Sequence, residues 1–266
     1  MILTENKSKI KLHFQRFEFK YQVPLDVVEG IIPELRKYMD FDPYAEKFSD
    51  NSYDVSSVYY DSTGFGCYYD KVAGLRTRKK LRVRFYEPTL RPETQVFLEI
   101  KKKYDTVVIK DRLTMTFNQC QRLLEKGEWD GLSVSADERE TLNEFISLKL
   151  RNGMVPQNLV VYRRKPFISK IDPGFRVTID YDVRTAPVST ITTSDSLKSV
   201  TPHIAILEVK FNNVLPFWFH QIIQRYNLNQ RPFSKYCQSL EACHPELSKA
   251  SMVESFNPIL HSALTN

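Results

Sequence analysis

The chain has 266 residues, of which 42% are apolar, 12% aromatic and 26% charged, with a formal net charge of +6. This is enough apolar bulk for a substantial core, which excludes a chain disordered throughout, and a length at which a β-barrel folds as one unit. The positive balance is modest for the length, so it points only weakly to nucleic acid or a membrane surface, and the placement of the charges matters more than their sum.

The four cysteines, Cys67, Cys120, Cys237 and Cys243, form no CxxC pair, and the opening residues MILTENKSKIKL lack an apolar signal core. A reducing, cytoplasmic setting is the expectation. No apolar run approaches the roughly 20 residues that a membrane-crossing helix needs, so no membrane span is expected.

In chain order, residues 13 to 21 alternate strictly as a strand does, and Pro24, Asp26 and the run VVEGIIPELRKYM then predict an amphipathic helix. Strands are predicted over 53–61 and 75–86, joined by a short helical or irregular link at 64–73. A further pair over 95–103 and 106–113 turns at Lys103-Tyr104-Asp105. Helical periodicity follows at 116–127 and 136–150. Strands resume at 159–169 and 175–183 around the turn Asp172-Pro173-Gly174. After an exposed Ser- and Thr-rich loop at 186–199 come a strand at 203–211 and helices at 216–226 and 234–242. Residues 1–244 are expected to form a single domain, and 245–266 a loosely attached tail.

Sorting strand positions by parity separates two faces. Phe17, Phe19 and Tyr21 oppose Glu18 and Lys20; Leu81, Val83 and Phe85 oppose Lys80, Arg82 and Arg84. Leu98 and Ile100 oppose Glu99, Lys101 and Lys103, and Ile109 opposes Lys110 and Arg112. Val177, Ile179 and Tyr181 oppose Arg176, Thr178, Asp180 and Asp182; Leu207, Val209 and Phe211 oppose Glu208 and Lys210; Arg164 lies two residues from Tyr162.

The ordinary meaning of such alternation is the solvated face of an antiparallel sheet. Here, however, Arg, Lys and Glu dominate several strands where Ser, Thr and Asn would be expected, and Glu-x-Lys recurs at 18/20, 99/101 and 208/210. The alternative is a barrel with the charged face inward and helices covering the apolar outside. The excess of cations would then need water or a polyanion inside, because unpaired charge in a confined site costs on the order of several kcal/mol. A phosphate chain meets that need: Arg offers a planar fork to phosphate oxygens, Lys a point charge, and a few carboxylates can hold Mg²⁺ or Mn²⁺. The sequence has no GxxxxGK[ST] loop, and Gly64-Phe65-Gly66 lacks the context of a nucleotide loop. The five histidines do not pair at metal-ligand spacing.

The segments RFEFKY (16–21), SSVYYDS (56–62), RKKLRVRFYE (78–87), FLEIKKK (97–103), YRRKPF (162–167), FRVTID (175–180), ILEVKF (206–211) and SKYCQSLE (234–241) resemble, in this order, the catalytic VTC domain of polyphosphate polymerases, a branch of the triphosphate tunnel metalloenzymes. The resemblance spans about residues 13–243. It implies an α+β fold, a closed antiparallel eight-stranded β-barrel forming a tunnel with a charged interior and surrounded by helices. It also implies transfer of the γ-phosphoryl group of ATP onto a growing polyphosphate, with release of ADP and use of Mn²⁺ or Mg²⁺. By matching motif, Lys20, Arg82, Arg84, Lys101, Arg164 and Arg176 would grip the triphosphate, Lys235 would bind or guide phosphate, and Glu208 would hold the metal with Glu18 and Glu99 as further metal or water ligands. Lys80, Lys103, Lys110, Arg112 and Lys210 complete the basic lining.

In the broader superfamily the first strand often reads ExExK; here Arg16 stands at the first Glu position, which removes one metal ligand and tilts the expectation from triphosphate hydrolysis toward polyphosphate. The remaining alternatives are a triphosphate or nucleoside triphosphate hydrolase and a non-catalytic polyphosphate-binding module. Nucleic acid is the weaker expectation, since Phe17, Phe19 and Phe85 lie on the apolar face and give no stacking platform.

Overall fold

The computed structural model describes residues 16–105, 107–128 and 134–248; most of the expected carboxy-terminal tail and the side chain of Arg16 lie outside them. Ten strands form one antiparallel sheet: β1 (Arg16–Pro24), β2 (Met39–Phe41), β3 (Tyr53–Asp61), β4 (Thr77–Phe85), β5 (Gln95–Tyr104), β6 (Val107–Thr116), β7 (Val155–Ser169), β8 (Arg176–Pro187), β9 (Lys198–Ser199) and β10 (Ile204–Asn212). Eight of them follow the order β1-β10-β8-β7-β3-β4-β5-β6, while the short β2 and β9 pair with β7 and β8. Among the described residues six α-helices accompany them: α1 (Leu25–Tyr38), α2 (Gly66–Val72), α3 (Phe117–Gln121), α4 (Ala136–Arg151), α5 (Phe217–Arg225) and α6 (Lys235–Cys243).

The helices start where local chemistry allows. Pro24 precedes α1, whose Val28, Ile31 and Leu35 share one buried stripe. Ser135 and Glu138 form a reciprocal capping box at the start of α4. The Ser234 hydroxyl accepts from the Cys237 amide at the start of α6.

The expected separation of faces holds, and helices do cover the apolar side. Phe17, Phe19, Tyr21, Leu207, Val209, Val177 and Ile179 pack with residues of α1 and α5, among them Ile31, Leu35, Phe219 and Ile222. On the other half, Leu81, Val83, Phe85, Leu98 and Ile100 pack with Cys120, Leu142 and Phe145 of α3 and α4. Each fully buried Leu, Ile or Phe in these clusters contributes about 1.5–3 kcal/mol relative to exposure.

The expected closed eight-stranded barrel is corrected: the sheet has ten strands, and its ladder does not close between β1 and β6. The reason lies on the free edge of β1. There the segment before α6 occupies the backbone, with Tyr21 bridged to Gln230 and the Arg231 amide donating to the Lys20 carbonyl at 3.0 Å. Strands hydrogen-bond only when about 4.8 Å apart; across this seam long side chains make the connection instead, Lys101 of β5 reaching Glu18 of β1 at 3.3 Å. The sheet is thus a strongly curved open trough with its charged face inside the curve. Among the described residues no helix is long and apolar enough to cross a membrane.

Candidate functional site: a basic concave face

Three carboxylate-centred groups organise the concave face. The first surrounds Glu99, which is fully buried. Arg82 Nε donates to it at 2.6 Å and Arg112 Nε at 2.7 Å, while Lys110 and Arg84 stand 3.6 and 3.8 Å away. The strand register dictates this convergence, because Arg82 and Arg112 are the cross-strand partners of Glu99 on β4 and β6. Burial alone would raise the Glu99 pKa, but the surrounding cations, Arg82 foremost, hold it well below the usual carboxylate range.

In the second group Glu18 and Glu208 share Lys20, Lys101 and Lys210. Lys20 lies 3.2 Å from Glu18 and 3.5 Å from Glu208, and Lys210 pairs closely with Glu208. Glu208 is held far below the ordinary carboxylate value by Lys210 and Lys20 in spite of burial. Directly opposite Glu208 on β8 is Thr178, whose hydroxyl is buried and has no hydrogen-bond partner among the described residues.

The third group pairs Asp180 with Arg164, Nε donating at 2.7 Å and Nη2 at 2.8 Å, and with Lys235 at 2.6 Å. This bidentate fork, together with Lys235, overcomes burial and holds Asp180 at about 2. Lys235 also lies over the ring of Tyr162, 4.7 Å from its centroid.

Three predicted basic residues have no carboxylate partner among the described residues. Lys80 contacts Ser234 Oγ at 3.4 Å and lies over the Tyr236 ring at 4.6 Å. Lys103 is half-buried, and Arg176 is exposed with its Nε donating to the Pro173 carbonyl at 3.3 Å. Against four carboxylates, Glu18, Glu99, Asp180 and Glu208, stand twelve predicted basic side chains, nine of them paired with one of the four. The imbalance acts on its members: burial first, then the neighbouring Arg112, Arg82 and Arg84, push the Lys110 ammonium down to about 8 despite Glu99.

Parity on charged strands did not point to Tyr59, Asp61 or Tyr236, because β3 carries no basic residue and Tyr236 lies on the helix α6. Tyr59 shares a face with Ser57, and its hydroxyl accepts from Arg82 Nη1 at 3.0 Å. Burial would raise its phenol, but Arg82, Arg84 and Lys235 outweigh that and bring it to about 8. Asp61 accepts from the amides of Ser62, Cys67 and Tyr68 at 2.7, 2.8 and 3.1 Å and from the Tyr236 hydroxyl. It thereby ties α6, the carrier of Lys235, to the end of β3. Asp182, which parity placed with Asp180, instead sits at an irregularity of β8 with φ of 51° and pairs with Arg184 at 3.1 Å.

Among the described residues no cluster of three or more His, Cys, Asp or Glu side chains could hold a metal on its own. The donor set nevertheless fits a hard divalent cation completed by substrate oxygens, since such an ion takes one or two carboxylates and leaves its other positions to phosphate and water. Glu18 and Glu208 could supply the carboxylates, and the Thr178 hydroxyl beside Glu208 a further oxygen.

The site is thus an excess of Arg and Lys on the inner face of a curved antiparallel sheet with helices outside, and its charge favours an anionic ligand. The family model described as the VTC domain matches residues 15–244, and the chain belongs to this family. No curated protein matches the sequence. Among solved structures, an adenylate-cyclase-like protein from Bacillus halodurans is 12% identical, with 83% of this chain and 94% of that chain covered and a TM-score of 0.49. A Hippeastrum protein, described there as an adenylyl cyclase with a dominant triphosphatase activity, is 13% identical over 86% of this chain and 97% of that one, with a TM-score of 0.48.

Proposed function

We propose that this chain is a polyphosphate polymerase that transfers the γ-phosphoryl group of ATP onto the end of an inorganic polyphosphate and releases ADP. The observation that carries the proposal is the excess of basic residues, twelve against four carboxylates, on one concave face, together with membership of the VTC family.

Arg82 and Arg84, with Arg164 and Lys235, present donors along the centre of the trough; Lys20, Lys101 and Lys210 continue the row toward the seam, and Lys80, Lys103, Lys110, Arg112 and Arg176 extend it. Those of them that carboxylates hold are already oriented and need little reorganisation as negative charge shifts between the attacking and leaving oxygens. Terminal phosphate oxygens are themselves nucleophilic, so no side-chain nucleophile is required and the residues act by aligning donor and acceptor in line. Glu208 and Glu18, with Thr178 beside them, would hold Mn²⁺ or Mg²⁺, which when bound neutralises phosphate charge. Glu99, enclosed by guanidinium groups, serves to fix the arginine row.

Purified protein given ATP and Mn²⁺ should produce long polyphosphate on a stained gel with ADP in matching amount. Free phosphate in place of chains would overturn the polymerase in favour of a hydrolase, and binding of polyphosphate without turnover would make it a binding module. In Arg82→Ala, kcat/KM should fall by about 10²- to 10³-fold, the usual effect of removing one preorganised donor, with the fold retained by circular dichroism.

A further inference from the structure

At one end of the trough the concave face changes character. The residues that continue the charged rows there, Tyr53 on β3, Tyr86 just past β4, and Gln95 and Phe97 on β5, are joined by Tyr44 and Glu87 around a cleft of about 440 Å³. Parity and register place it in line with the phosphate-facing arginines. Phe97 pairs with Arg84 across β4 and β5, and the Arg112 guanidinium lies 4.5 Å from the centroid of the Phe97 ring. Tyr53 pairs with Arg164. Although burial opposes it, Arg84 and Arg112 draw the Tyr86 phenol below its ordinary value, so the same two guanidiniums face both the trough and the cleft.

The walls are aromatic. Tyr44 and Tyr53 meet edge to face at 4.8 Å, and Tyr86 lies 5.8 Å from Tyr53 and 5.6 Å from Phe97. A cluster serving only as core would be closed over, as Leu81, Val83, Leu98 and Ile100 are beneath the helices. Here Tyr44 remains 37% exposed, and the polar Glu87 and Gln95 share the wall. Flat apolar walls, a carboxylate that can accept from an exocyclic amine and an amide that can both donate and accept are what a nucleobase requires.

We propose that this cleft binds the base and ribose of the donor nucleotide, while its triphosphate runs from Arg84 and Arg112 into the trough. This would give the face a direction: the nucleoside sits at the aromatic end, and the polyphosphate leads away past Lys20, Lys80 and Lys101. The proposal rests on the phosphate-binding role of the trough.

The test compares two ligands that differ only by the nucleoside. Binding of ATP and of inorganic tripolyphosphate, each with Mg²⁺, is measured by calorimetry for the wild type, Tyr44→Ala and Gln95→Ala; both substituted positions are exposed, so folding should be preserved. The expected result is about tenfold weaker ATP binding in each variant, the size of losing one stacking or hydrogen-bonding partner, with tripolyphosphate within twofold of wild type. Equal weakening of both ligands, or no change in ATP binding, would overturn the nucleoside cleft and leave the phosphate trough standing. Failure of the wild type to bind tripolyphosphate would remove the trough, and the cleft with it.

Discussion

Glu99→Gln isolates the role of the carboxylate at the centre of the arginine row. The carboxylate is fully buried, and the substitution removes its charge while keeping its volume, so Arg82, Arg84, Lys110 and Arg112 lose their common anion. Removing one partner of a buried ion pair costs about 3–5 kcal/mol. The Lys110 and Arg112 side chains are 46% and 32% exposed, so water relieves part of their repulsion and the lower end, about 3 kcal/mol, is expected. For a domain of this size that corresponds to a fall in Tm of about 6–12 °C. Since the folded-state pKa of Glu99 lies below its unfolded value, the stabilisation is fully present above about pH 4.3 and is lost only as pH falls through the folded value.

The assay is thermal and urea unfolding at pH 7 with and without tripolyphosphate. The ligand restores anionic charge among the same guanidinium groups, so it should raise the Tm of the variant more than that of the wild type. A variant within about 0.5 kcal/mol of wild type, the range of neutral surface changes, would refute the reasoning. A loss seen only when divalent metal is present would make Glu99 a metal ligand instead.

Polyphosphate affinity should fall as pH rises through about 8, where both the Tyr59 phenol and the Lys110 ammonium lose a proton; each loss makes the face more negative. A drop of about tenfold between pH 7 and 9 is expected by calorimetry, flattened in Tyr59→Phe/Lys110→Gln, and a flat wild-type profile would contradict the assignment. Tyr236→Phe removes the hydroxyl that joins α6 to Asp61 and should cost about 1.5–3 kcal/mol in urea unfolding, as a hydrogen bond to a charged acceptor does. It should also weaken tripolyphosphate binding by loosening Lys235, whereas wild-type affinity would show that α6 is positioned without this bond.

What the sequence by itself determined is the division into faces. Side chains alternate along every strand regardless of how the sheet curves, so Glu18 and Lys20 opposite Phe17 and Phe19, or Arg82 and Arg84 opposite Leu81 and Val83, could be assigned from order alone. The recurring strand motifs were likewise local and legible, and they named the family. Tertiary structure decided what parity cannot reach. Which cations share which carboxylate depends on cross-strand register, which gathers four basic residues on Glu99 and leaves Lys80 with Ser234 and Tyr236. Tyr59 becomes part of the basic face only because β3 lies beside β4, and Asp182 leaves it because the ladder is irregular there. The open seam depended on a segment some 200 residues away in sequence: Gln230 and Arg231 take the free edge of β1, and with that edge occupied the far side of the sheet reaches β1 through the side chain of Lys101 on β5 to Glu18 rather than through a backbone ladder.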